Sequence, residues 1–407
     1  MKKLAAISVV VLLLAVAVLA AAFGAAKSDA KTVTKATVIK VGHIVDKTGP
    51  EAQVGSKFDT ALNAANAYFG TIAGKQVQVI TVDAAGTTSG AVNAAKQLVT
   101  SDHVVAILGP TQQGQKVAVA NYIKSKGHIP LIMYNPTTPN VYQNNPWVIA
   151  AGGSSYMQGS VDGAYAKTVL KWKTADLMTK DTAGNRAFCD PAVAWFTKHG
   201  GKIVQKTYVP ESGGDYSSFL SGLKPADGMF AWIQGSDAMT WWQAYYTNGV
   251  QNKMKVTAPF TGGFLDAFIV NGVPKPVGAV INGTTGSSMY DPGASTPANQ
   301  AFITVMKPKL APYSPDQTAS ASWEGYMVFK SGLEAAKGNT KPAALKAGLL
   351  KSKTVGPEGP VSFHKGSNVA TRTVYILQIQ PIPNVPGPVY RYVAIRTYKM
   401  VGPLGLK

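Results

Sequence analysis

Apolar runs and stretches of helical spacing alternate along most of this chain, and the alternation predicts its architecture. Thr37 to Val45 has strand character and ends in Asp46-Lys47-Thr48-Gly49-Pro50, after which Phe58, Leu62, Ala65 and Phe69 fall at helical spacing within Val54 to Phe69. Gln76 to Val82 alternates as a strand, Ala91 to Thr100 reads as helix, Val104 to Leu108 as strand, Lys116 to Lys126 as helix and Ile129 to Tyr134 as a fourth strand. The pattern restarts after Trp147 to Gly153, with helix Tyr156 to Leu170, strand Ala175 to Thr179, helix Ala192 to His199 and strand Ile203 to Val209. Strand Met229 to Ile233, helix Ala238 to Asn248 and strand Val256 to Phe260 continue it. Beyond a Gly and Pro cluster near Asp291 to Pro297 come helices Ala298 to Leu310 and Gln317 to Ala336, then terminal strands Thr371 to Gln380 and Val389 to Tyr398. Such alternation predicts an α/β protein built of two doubly wound domains, each a parallel sheet covered by helices on both faces.

Two apolar runs spill into short polar turns, Gly109-Pro110-Thr111-Gln112-Gln113 and Asn135-Pro136-Thr137-Thr138, before helical spacing resumes. In parallel α/β sheets small molecules sit beyond the carboxyl ends of the strands, where first helical turns offer free N–H groups. Thr and Asn there also serve as helix caps, and the two roles are compatible. The turns carry hydroxyls and amides but no nucleophile paired with a base, which points to capture of a ligand without chemistry. Phe264, beside Gly262 and Gly263 at a strand end, is a candidate for apolar contact in a cleft between the domains, and Trp241-Trp242-Gln243-Ala244-Tyr245-Tyr246 reads as helix packing.

The N-terminus changes the picture of the compartment. Lys2 and Lys3 precede the apolar stretch Leu4 to Ala22 and the small residues Gly24 to Ala26, a secretory signal peptide over residues 1–26; the run is also long enough to act as an uncleaved anchor. Either way the remaining 381 residues are extracytoplasmic, and their length exceeds what one core usually holds. The single cysteine, Cys189, can form no internal disulfide and does not follow the apolar segment as a lipid anchor would require.

Charge and motif content exclude several function classes. The net charge of +19 arises from scarce acids in a chain with only 14% charged residues, and its lysines are dispersed. A nucleic-acid binder would carry a concentrated basic stripe with interleaved aromatics, so none is expected as a partner. The sequence contains no G-x-S-x-G, H-E-x-x-H, C-x-x-C or G-x-x-x-x-G-K-[ST] pattern, and its five histidines lack metal-ligand spacing. Neither a cofactor, a metal nor an enzymatic activity is expected; only a spatial assembly of carboxylates such as Asp46, Asp181 and Asp266 would escape a linear reading.

At this point the chain resembles the type I periplasmic binding proteins of ABC transporters, in particular the branched-chain amino acid and amide group typified by leucine-binding proteins. The similar pieces are Ile39-Lys40-Val41-Gly42 leading to Thr48-Gly49-Pro50, Val105 to Pro110, Ile129-Pro130-Leu131-Ile132, Asn135-Pro136-Thr137-Thr138-Pro139 and Gly356 to Phe363. The resemblance implies two lobes joined by a three-crossover hinge, residues 37–151 plus 287–352 forming lobe one and 152–286 plus 353–407 lobe two. It implies a monomer that traps a small solute and delivers it to a membrane permease; a ligand sensor using the same clamp is the alternative. By the same likeness Thr111, Gln112, Gln113, Asn135, Thr137 and Thr138 hold the acidic end of the solute, with Gln113 where a Ser is usual. From lobe two, Asp181, Gln234, Asp237, Phe264 and Asp266 set selectivity. Lobe two departs from the pattern of amino-acid binders, with Asp181-Thr182-Ala183-Gly184-Asn185 where a Tyr is expected and Gly262 to Asp266 where a Glu would meet the ligand ammonium. Either Asp266 replaces that charge or Phe264 has removed it. In the latter case an α-amino acid would bury an unpaired charge, and an organic or aromatic acid or an amide fits better.

Overall fold

The computed structural model describes residues 38–233, 237–259, 275–384 and 389–406. Strands β1 (Val38–Val45), β2 (Gln76–Asp83), β3 (Ile107–Leu108), β4 (Leu131–Ile132) and β5 (Val148–Ile149) form one parallel sheet in the order β2-β1-β3-β4-β5. Between them run α1 (Ala52–Phe69), α2 (Thr88–Thr100), α3 (Gln113–Tyr122, continued by a π-helical turn Ile123–Gly127) and α4 (Pro139–Tyr142). The runs read as strands 104–108 and 129–134 are buried apart from half-buried Val105, but only two residues of each hold regular register. Bonds such as Val105 N–H to Lys40 O and Met133 N–H to Ile149 O carry the ladder past those residues.

A second sheet begins after α5 (Ser155–Thr168). It contains β6 (Thr174–Lys180), β7 (Lys202–Val209), β8 (Gly228–Trp232), β9 (Lys255–Thr257) and β10 (Thr285–Ser288), parallel in the order β7-β6-β8-β9-β10. Its helices are α6 (Ala183–Lys198), α7 (Tyr216–Ser221), α8 (Asp237–Thr247) and α9 (Lys275–Ile281). Helix α6 starts well before the stretch 192–199 that spacing marked, because Pro191, which looks like a start, lies inside it and Thr182 caps its true beginning by accepting from Asn185 N–H. Gly159 and Gly163 let α5 lie against α6: a Cβ there would stand 2.3 Å from Phe188 O and 2.4 Å from Ala192 O.

Helices α10 (Pro297–Leu310), α11 (Gln317–Ala335) and α12 (Pro342–Leu350) return to the first sheet, where Phe302, Trp323, Tyr326 and Phe329 share a core with Val41, Phe58 and Leu62. The chain then rejoins the second sheet through β11 (Lys353–Gly356), β12 (Gly359–Phe363), β13 (Ala370–Pro381) and β14 (Tyr390–Val401), all antiparallel to their neighbours. The second sheet is therefore mixed, a correction to the wholly parallel expectation. The links between β11 and β14 are too short to hold the crossover that parallel pairing requires.

The chain passes between the sheets three times: after β5, after β10 and after α12. Buried polar groups bind these passages together. Arg372, 1% exposed, reaches Glu324 Oε1 at 2.7 Å, Glu358 Oε2 at 2.5 Å and Ala151 O at 3.1 Å. At the second passage Asp162 accepts from Ser287 N–H at 2.8 Å and its hydroxyl at 2.6 Å, and Gln317 accepts from Met289 N–H and the Ser288 hydroxyl. Trp241 and Tyr245 stack at 5.2 Å inside the second lobe, so this aromatic pair is core, as its helical spacing suggested, while Tyr246 is exposed.

Candidate functional site

Each sheet reverses its strand order at one place, between β1 and β3 in the first and between β6 and β8 in the second. Ligands of open α/β sheets bind outside the carboxyl ends of strands at such switch points. The loops found there are Asp46–Pro50 and Pro110–Gln113 in lobe one, and Lys180–Thr182 and the start of α8 in lobe two. These two sets of strand ends approach one another: α3 of lobe one touches α6 of lobe two. Glu51, just before α1, also feels Lys180 at the end of β6. Although Glu51 retains solvent contact, desolvation and the charge of Asp46 push its carboxyl upward, while Lys180 pulls it down.

In lobe one the organising group is Asp46, which is fully buried. Its Oδ1 accepts from Gly86 N–H at 2.9 Å and Gln115 Nε2 at 2.7 Å, and its Oδ2 from Gln112 Nε2 at 2.8 Å and Thr111 Oγ1 at 3.1 Å. All the acceptor capacity of a carboxylate is thus used. Thr111 and Gln112, expected to hold the acidic end of the solute, direct side-chain donors to Asp46 and thereby fix the turn that opens α3. The amides of Gln113 and Gly114, in the first turn of that helix, have no intrahelical acceptor. Gly109 has φ 94°, and a Cβ there would meet Ile44 O at 2.3 Å, so this turn requires glycine.

The second turn leans on the first. Asn135 Nδ2 donates to Thr111 O at 3.0 Å, and because a carbonyl can only accept, this orients the amide and leaves Oδ1 without a partner among the described residues. Gln113 Nε2 donates to Thr138 Oγ1, and the Thr137 hydroxyl lies 3.5 Å from Gln113 Oε1. Thr137 is buried and its backbone pairs with Gly153 and Ser155, whereas Gln113, Asn135 and Thr138 are half-buried. Beneath the turn, buried Lys116 donates to Pro136 O at 2.7 Å, and burial pulls its ammonium down to about 7. Behind it the Tyr134 hydroxyl meets His43 Nε2 at 3.0 Å, and burial lowers the pKa of that imidazole.

In lobe two, Lys180 Nζ lies 2.5 Å from Asp237 Oδ2, and the Tyr216 hydroxyl donates to the same oxygen at 2.9 Å. Lys180 and Tyr216 were not singled out from the sequence. Lys180 was overlooked beside Asp181, yet Asp181 is exposed and bound to Arg186 Nε at 2.7 Å, five residues along its own chain segment. Gln234, Phe264 and Asp266 lie outside the described residues.

Residues 38–383 match the family described as periplasmic binding protein. The chain belongs to that family. A Leu/Ile/Val-binding protein homolog of Brucella melitensis is 24% identical over 387 residues, covering 93% of this periplasmic binding protein and 96% of the relative. Among solved structures, a solute-binding protein of an ABC transporter from Rhodopseudomonas palustris, in complex with 3,4-dihydroxybenzoic acid, superposes with a TM-score of 0.79 at 22% identity, over 89% of this chain and 98% of that one. A branched-chain amino acid transporter substrate-binding protein of Streptococcus pneumoniae, in complex with isoleucine, gives 0.73 at 20% identity, over 88% and 100%. The fold is that of type I periplasmic binding proteins, and family and fold alike are those of binding and transport proteins.

Proposed function

We propose that this periplasmic binding protein is exported, closes its lobes around a small solute bearing a carboxylate, and presents the unchanged solute to an ABC permease as a monomer without cofactor or metal. Lobe one is taken as residues 37–151 plus 287–352 and lobe two as 152–286 plus 353–407. The observation that carries the reading is the opposition of two switch points, with Glu51 and Asp46 on one side and Lys180 and Asp237 on the other. A guest between them contacts both lobes only when they are closed, so binding shifts the population toward the closed form.

The acidic end is assigned to the first-turn amides of α3 together with Gln113, Thr137, Thr138 and Asn135, held in place by Thr111 and Gln112 acting through Asp46. The ligands bound in the two similar solved structures, isoleucine and 3,4-dihydroxybenzoic acid, both carry a carboxylate, which supports an acid as the common element. The family and the fold are those of binding and transport proteins, which supports release of the guest unchanged.

A thermal-shift screen of amino acids, amides, urea and aromatic acids tests this. A tight ligand at a hundredfold excess over its Kd stabilises by about 2.7 kcal/mol. Thr137→Ala combined with Thr138→Ala lowers affinity in calorimetry without unfolding the protein; unchanged affinity defeats the assignment of that turn.

A further inference from the structure

Lys180 ends β6, Tyr216 opens α7 after β7 and Asp237 opens α8 after β8, so all three lie at the carboxyl ends of neighbouring strands at the switch point of lobe two. They form one cluster. Both donors converge on Asp237 Oδ2, leaving Oδ1 out of either bond, and the side chains of Lys180 and Asp237 stay 18% and 23% exposed. Gly213, with φ 82°, makes room: a Cβ there would stand 2.8 Å from Asp237 Oδ2.

The cluster is electrically balanced. An ammonium group arriving from a ligand meets the charge of Lys180, and a carboxylate meets that of Asp237. A hydroxyl meets neither objection, because it donates to Asp237 Oδ1 while accepting from the Lys180 ammonium. Glu51 faces this place from lobe one, close enough to feel Lys180, and its acidic group adds a further bias against a second acid.

We propose that Lys180, Asp237 and Tyr216 form the second-lobe specificity cluster of this cleft and select monocarboxylic acids carrying an uncharged distal hydroxyl. The inference rests on the solute-binding reading above and names the class of solute.

A rigid ring series isolates the distal group: 4-hydroxybenzoate, benzoate, terephthalate and 4-(aminomethyl)benzoate, titrated by calorimetry into the wild type and Asp237→Ala. The wild type binds 4-hydroxybenzoate on the order of tenfold more tightly than benzoate, the value of one hydrogen bond to a charged group. It binds the dicarboxylate and the zwitterion more weakly still. Asp237→Ala leaves Lys180 without its counter-charge, so the order changes and terephthalate overtakes 4-hydroxybenzoate. This gain cannot arise from a misfolded variant. Equal binding of benzoate and 4-hydroxybenzoate, or the same order of ligands in both proteins, overturns the proposal. So does a wild type that binds leucine but none of the four ring acids, an outcome that leaves the clamp intact. A protein that binds no member of the series and no compound of the wider screen overturns the solute-binding reading as well.

Discussion

Replacing Asp46 with alanine is the sharpest test of how lobe one is built. Four donors converge on this carboxylate, two of them from groups with no alternative: Gly86 N–H belongs to the backbone and Gln115 is 1% exposed. Thr111 and Gln112 are half-buried and can turn toward water. Each orphaned buried donor costs about 1–3 kcal/mol, and the rehydrated pair adds little. Asp46→Ala therefore lowers stability by about 3–5 kcal/mol, a loss read from urea denaturation with the slope held constant. Asp46→Asn keeps one oxygen for Gly86 and Gln115 and loses about 1–2 kcal/mol. Both variants loosen the turn before α3 and weaken solute binding. If Asp46→Ala stays within about 1 kcal/mol of wild type, the carboxylate is not the keystone of that turn and the assignment of Gln113 falls with it.

Three further outcomes follow from the geometry. Burial holds the Asp162 carboxyl up at about 7, against an ordinary 3.8, even though Ser287 donates to it. In this window the unfolded chain gives up the proton first, so the group's contribution falls as pH rises from about 4 to about 7; Asp162→Asn flattens that part of a melting-temperature profile, and an unchanged slope refutes the assignment. Burial pulls Lys116 down to about 7 from 10.5, so its contribution is complete above 10.5 and disappears as pH falls to about 7; Lys116→Met removes this alkaline rise in the same measurement. Gly213→Ala strains a left-handed position and pushes on Asp237, costing about 1 kcal/mol in denaturation while lowering solute affinity in calorimetry; intact affinity would separate Gly213 from the cleft.

The alternating modules of the chain were legible because apolar runs and helical spacing report burial directly: β1 to β4 fall on runs marked in advance, whereas β5 lies in Trp147 to Gly153, which reads only as the break between the two domains. Strand direction was not legible for β13 and β14, whose composition resembles that of any buried strand; only the short link between them reveals the hairpin. The two polar turns that follow β3 and β4 were also legible as turns, since polar residues after a buried strand are a local signal. What their side chains do was hidden. Thr111 and Gln112 lie 65 and 66 residues from the carboxylate they serve, a distance at which no spacing rule operates. Lys180 was masked for the opposite reason, because its neighbour Asp181 carries the more conspicuous charge and satisfies it with nearby Arg186. Pro191 shows a third limit: a residue that usually interrupts a helix lies inside α6, which packs along α5.

Arg372 ties a carbonyl after β5 to carboxylates on α11 and at the β11–β12 turn, so segments from both halves of the molecule terminate on one guanidinium. Neither half can melt alone without stranding ions in a place water does not reach. Heat should therefore dismantle the molecule in a single cooperative step, with no halfway species in which one half stands and the other has gone.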